Sequence, residues 1–159
     1  KHLMNRGCKK VAIITGDIET TAGHQRLDGY NQVYRELGRV PAKTLIKQGD
    51  YSYESGHVQM KHLLEENPDV DGVFACNDLM ALGAIAAIEE AGKIVPDDIA
   101  VIGFDDSIPA RTSRPQLSTV RQDINALGEA AAQLMIAQLN GEPVESRIMP
   151  IELVLRESA

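Results

Sequence analysis

The stretch VDGVFACNDLMALGAIAAIEEAGKIVPDDIAVIGFDD, residues 70–106, decides the fold. An apolar strand at Gly72–Cys76 turns at Asn77-Asp78, enters a helix, and returns as a second apolar strand at Ile99–Gly103 that stops at Phe104-Asp105-Asp106. Two buried strands joined by one helix form a βαβ crossover, so they run parallel. Asp78 reads as the N-cap of the helix rather than as a ligand contact. From Leu79 to Ile88 the helix carries no polar side chain, whereas a helix lying on one face of a sheet needs only one apolar stripe. One face, including Met80, Ala84 and Ala87 or the set offset from it, is expected on the sheet. The remaining face, including Leu82, has no evident partner within the chain and is expected to form a homodimer interface.

Working outward, residues 1–6 read as a helix end closed by Gly7, and Val11–Ile14 as a strand. A helix from about Gly23 to Leu37 carries Leu27, Tyr30, Val33, Tyr34 and Leu37 at helical spacing. Thr44–Ile46 is a second strand, and Ser52 caps a helix running through Glu66 with Gly56, Met60, Leu63 and Leu64 inward. Downstream, SIPARTSRPQ reads as a loop and Ser118–Arg121 as a short strand. A helix follows from about Asp123 to Asn140, and Ile148–Leu155 is extended and interrupted by Pro150. Alternation of strand and helix over residues 9–106 gives an α/β fold with a parallel sheet flanked by helices. The tail departs from that alternation, as if the chain left a first lobe, contributed to a second and came back.

Composition narrows the function classes. With 159 residues, 43% hydrophobic and 25% charged, the chain is the size of one domain and can bury a substantial core. No apolar run approaches the ~20 residues that cross a bilayer. A net charge of -7 makes the segment a poor partner for phosphates, so any DNA contact must come from elsewhere. Only Cys8 and Cys76 occur, which fits a reducing compartment rather than a disulfide framework. The chain opens in a helix-like KHLMNRG without an initiator Met, and reads as a fragment of something longer. There is no GxGxxG after a strand, no GxxxxGK[ST] and no GxSxG. His2, His24, His57 and His62 lack metal-ligand spacing, so no catalytic, metal or cofactor constellation is expected.

In open parallel sheets ligands bind beyond the carboxyl ends of the strands. Strand one ends at Gly16-Asp17 with Arg26 in the following helix; strand two ends near Asp50-Tyr51; later strands end at Asn77, Asp105 and Gln122. Arg26, Tyr51, Asn77, Asp105 and Gln122 are therefore the candidate ligand-binding residues. A cation, a ring, amides and a carboxylate suit a polyhydroxylated or small polar-ring ligand, because planar polar groups pair with neighbouring hydroxyls and a ring packs on a sugar's apolar face. Plainer roles exist for each: Arg26 as a solvated helix residue, Tyr51 packed on its own loop, one of Asp105 and Asp106 capping the turn.

With these residues named, the sequence resembles the effector-binding domain of the LacI/GalR family of bacterial transcriptional repressors. The resemblance rests on HLMNRGCKKVAIITG, RLDGY, GDYSYESG, the 70–106 stretch, PQLSTVRQDINALGEAAAQLM and LVLRES, in the family's order. It implies a periplasmic-binding-protein-like type I fold, with residues 1–121 as the C-terminal lobe, 122–147 belonging to the N-terminal lobe and 148–159 returning as a strand. A DNA-binding headpiece would lie outside the chain. It further implies a cytoplasmic homodimer, a sugar-like effector held between two lobes by positions matching Arg26, Tyr51, Asn77, Asp105 and Gln122, and operator DNA bound through the headpiece. Asp17 stands where Pro is common in the family, and Arg114 where another often is. A periplasmic sugar-binding protein or sensor ectodomain shares the fold and is the alternative; an α/β enzyme would instead turn over a sugar or nucleoside.

Overall fold

The computed structural model describes residues 1–159. Six strands, β1 (Val11–Thr15), β2 (Ile46–Gln48), β3 (Gly72–Ala75), β4 (Ala100–Asp105), β5 (Ser118–Gln122) and β6 (Ile151–Val154), form one sheet in the order β2-β1-β3-β4-β5-β6. All neighbours are parallel except β5 and β6. The helices are α1 (His2–Arg6), α2 (Thr21–Glu36), α3 (Tyr53–Glu66), α4 (Asp78–Glu90), α5 (Ile108–Thr112) and α6 (Ile124–Leu139). Every residue of β1 is buried, as continuous apolar runs in a sheet covered on both faces require.

The apolar α4 has two covers. Ala81 meets Gly103 of β4, and the turn beside it meets α3 at backbone distance. A Cβ on Gly56 would fall 2.2 Å from the Met80 carbonyl oxygen, and one on Gly83 2.1 Å from that of Tyr53. Two glycines thus let α3 and α4 touch main chain to main chain, which explains most of the helix's missing polar face. Leu82 stays half-buried, beside a shallow recess it shares with Ile85, Ala86, Tyr53 and Pro109.

Several boundaries differ from the sequence reading for identifiable reasons. Asn77, not Asp78, is the N-cap of α4: its Oδ1 accepts from Met80 N at 2.9 Å. Asp78 is buried one position later, where its Oδ2 accepts from Ser107 N at 2.7 Å and its Oδ1 from the Thr119 hydroxyl at 2.6 Å. Both Asn and Asp make good caps, so an Asn-Asp pair does not say which serves. The predicted strand at Thr44–Ile46 begins instead at Ile46, after a 3-10 turn at Lys43–Leu45; as an edge strand β2 needs little apolar content. The SIPARTSRPQ segment contains α5, with Pro109 in its first turn, where a missing N–H is no loss. Leu37 lies past the end of α2 and is exposed rather than inward.

The tail ends on the sheet. β6 pairs antiparallel with β5, matching Thr119 to Val154 and Gln122 to Ile151. Beyond it the Ser158 hydroxyl donates to the Val101 carbonyl and accepts from Ser118 N, which ties the chain end to β4 and β5. Between β5 and β6, α6 is capped by Asp123 and buries only Ala130. Its apolar residues Ile124, Leu127, Met135, Ile136 and Leu139 are exposed.

Candidate functional site

The carboxyl ends of β1 to β5 meet along one edge of the sheet, and the five predicted residues meet there too. Arg26, in the second turn of α2, crosses to the end of β3, where Nη1 donates to the Cys76 carbonyl at 2.8 Å. Its Cζ stands 3.8 Å from the centre of the Phe104 ring. It is therefore not a freely solvated helix residue. No other protein group is hydrogen-bonded to its guanidinium, so the remaining N–H groups of its fork are free for a ligand.

Tyr51 has a left-handed backbone, φ 69°. Its ring lies on Gly16, where a Cβ would fall 1.8 Å from Cζ, and its hydroxyl reaches Thr20 Oγ1 at 3.4 Å. The ring is thus seated on the β1–α2 loop. Asn77 joins the β2–α3 loop, which carries Tyr51, to the end of β3: besides capping α4, its Nδ2 donates to the Tyr51 carbonyl at 2.8 Å. One amide N–H remains for the crevice. Asp50, just before Tyr51, accepts from the Ser52 hydroxyl and N–H, which hold its carboxyl down to about 2.

At the other end of the edge, Gln122 Nε2 donates to Asp105 Oδ1 at 3.0 Å. The Asp105 carboxyl is pushed above the usual aspartate range by burial first and by the charge of Asp78 second; Arg26 and Gln122 oppose the shift. Asp106 does not cap the turn. Its fully buried carboxylate receives Arg121 Nε at 2.7 Å, Arg111 Nη2 at 3.1 Å and Arg156 Nη2. Burial would raise its pKa, but hydrogen bonds from Arg121, Arg156 and Arg111 outweigh it and hold the carboxyl below its ordinary value. Tyr51, Asp105 and Asp106 are the three non-glycine residues with positive φ, and all three lie on this edge. Such strain persists where surrounding contacts over-determine the backbone.

Chemically, the edge offers a guanidinium fork, a carboxylate and two amides. The one thiol here, Cys76, is buried and pushed up to about 11, so it is not a thiolate nucleophile near neutrality. Sequence reasoning missed Phe104, whose position beside Asp105 was the only hint, and the Asp106 cluster, which gathers Arg111 from the adjacent α5, Arg121 from β5 and Arg156 from the chain end.

The whole chain, residues 1–159, matches the model of the periplasmic binding protein-like domain. The chain belongs to that family. It is 37% identical over 155 residues to the HTH-type transcriptional regulator CelR of Thermobifida fusca, covering 98% of this chain and 44% of that protein. Among solved structures it is similar to a transcriptional regulator CelR–cellobiose complex, at a TM-score of 0.95 and 36% identity over 99% of this chain and 49% of that one. It is also similar to the lac repressor dimer bound to operator and the anti-inducer ONPF, at a TM-score of 0.92 and 30% identity over 99% of this chain and 47% of that one. The chain spans about half the length of these relatives. They are regulators rather than enzymes, and no helix of this chain is long and apolar enough to cross a membrane.

Proposed function

We propose that this chain is the greater part of the effector-sensing domain of a cytoplasmic, non-enzymatic LacI/GalR-type transcriptional regulator. In this reading residues 1–121 and 148–159 form one lobe, and residues 122–147, with the exposed apolar side of α6, belong to a second. A neutral, hydroxyl-rich effector sits between them against Arg26, Tyr51, Asn77, Asp105 and Gln122. The observation that carries the reading is the convergence of these side chains on one sheet edge, with the Arg26 fork left open. An unpaired guanidinium and a half-buried carboxylate together balance in charge, which favours paired hydroxyls over a phosphate. The HTH-type relative favours a regulator over a periplasmic binding protein.

Effector binding shifts the equilibrium between two lobe arrangements, and a dimer joined through the Leu82 face passes the shift to DNA-binding headpieces. A tenfold change in operator affinity needs only about 1.4 kcal/mol of differential binding. Thermal-shift screening of the full-length protein against sugars and purines tests this. The expected result is a hit that Arg26→Ala and Asp105→Ala abolish and that changes operator affinity. A hit unaffected by both substitutions places the site elsewhere, and unchanged operator affinity at saturating effector refutes the allosteric account.

A further inference from the structure

The open Arg26 fork has a fixed orientation because two groups hold it, and only one of them belongs to the crevice rim. The Cys76 carbonyl takes one edge of the guanidinium, and the Phe104 ring takes one face, with Cζ 3.8 Å from the ring centre. Phe104 is 9% exposed. It sits where β4 ends, immediately before Asp105, and lines an apolar cavity of about 480 Å³ together with Arg26, Tyr30, Phe74, Ile102 and Val120. A single hydrogen bond on Nη1 leaves the guanidinium free to rotate about it; a flat ring beneath the plane removes that freedom. We propose that Phe104 is a positioning residue for effector recognition: it acts through Arg26, fixing the plane in which the fork meets paired hydroxyls.

This role rests on the proposed ligand site and deepens it. Arg is suited to this arrangement because its planar cation stacks on a ring face while its edge N–H groups remain available. An aliphatic side chain of similar volume would fill the cavity wall but present no π face. The predicted cost of Phe104→Leu is therefore in recognition rather than folding. Cation–π attraction in a partly desolvated setting corresponds to a loss of about 3- to 30-fold in effector affinity.

The test is a double-mutant cycle in the full-length protein, with cellobiose, glucose, ribose and guanine as probes in calorimetric titration. Phe104→Leu should weaken the bound probe by the stated factor, and Phe104→Tyr should stay within about twofold, since it keeps the ring. In an Arg26→Met background, Phe104→Leu should add less than about twofold, because its effect runs through the guanidinium. A ligand-free reading accompanies it: the Arg26 side-chain N–H proton resonances of the wild type and of Phe104→Tyr should show the upfield displacement of a proton over a ring, absent in Phe104→Leu. Wild-type affinity in Phe104→Leu, or equal losses in both backgrounds, overturns the positioning role. If Arg26→Met alone leaves probe binding intact, or none of the four probes binds the wild type, the site reading beneath it fails instead.

Discussion

Asp105 and Asp106 are adjacent carboxylates with opposite electrostatics, and the difference assigns them different work. Asp106 is matched by three arginines, and its depressed pKa means that its charge favours the fold above the ordinary Asp value of about 3.9. That contribution is lost as pH falls through the lower, folded value. Asp106→Asn should therefore destabilise the lobe at pH 7. Removing one partner of a buried pair costs about 3–5 kcal/mol, but the Arg111 and Arg121 side chains are 55% and 42% exposed, so about 2–3 kcal/mol is expected from denaturant unfolding. Asp105 has the opposite sign. Its raised pKa means that its neutral form favours the fold, a contribution present below about pH 3.9 and lost as pH rises through the folded value. Asp105→Asn, which keeps an acceptor for Gln122 and tolerates positive φ, should raise the unfolding temperature of the ligand-free protein at pH 7, with a gain that disappears toward pH 4. The same substitution should weaken effector binding about 10- to 100-fold, the worth of a charge-assisted hydrogen bond. An unchanged melting curve across that pH range would remove the case that Asp105 is held ready for a partner.

Between elements, the decisive contacts are those that side-chain patterns do not record. Gly83→Ala would ordinarily help a helix by about 1 kcal/mol, yet its Cβ would meet main-chain atoms of α3 at 2.1 Å. Overpacking against backbone cannot be relieved by a rotamer, so a net loss of about 1–3 kcal/mol is expected in chemical denaturation. Gly29→Ala in α2, where nothing lies within 4 Å of the new Cβ, should instead stabilise the chain by up to about 1 kcal/mol. Equal signs for the two would mean that α3 and α4 can move apart freely. Periodicity made the central strands, the crossover and the ends of α3 and α6 legible in the sequence, while β2 and the ends of α2 were displaced by one to two residues. It could not show that α3 covers α4, because Gly56 and Gly83 act by what they lack. It could not separate Asn77 from Asp78 as the cap, nor see α5, because a proline that starts a helix looks like one that prevents it. That the five candidate side chains gather on one edge was legible because the strand ends of a parallel sheet converge there. Phe104 and the Asp106 cluster were not, since Arg26 and Arg156 reach them from segments remote in sequence and Arg111 sits on a helix that read as loop.

At the scale of the whole molecule, two of the apolar surfaces on this chain call for different partners. The side chains of α6 are exposed along its length, in a segment that leaves the sheet after β5 and returns to it at β6. That position suits a second lobe of the same chain, reached by the crossing strands that Asp106 clamps through Arg121 and Arg156. The other surface lies across the body of the lobe, where half-buried Leu82 borders Ala86 and Tyr53 on the rim of α4 and α5. α3 and the sheet cover most of α4 apart from this strip and exposed Leu79 one turn before it, so this is the part of the helix available to a second copy. Placing a charge there separates association from folding. In the isolated lobe an arginine at position 82 can lay its stem along the strip and keep its head in water, so Leu82→Arg should change unfolding free energy by no more than about 0.5 kcal/mol. In an assembled dimer the same guanidinium would have to be taken out of water, at a cost of about 2 kcal/mol or more. A dilution series by sedimentation velocity on the full-length protein should accordingly show dissociation at least tenfold easier for the variant. A dimer of undiminished stability would exclude this face as the contact and leave the partner of the Leu82 strip to be sought elsewhere.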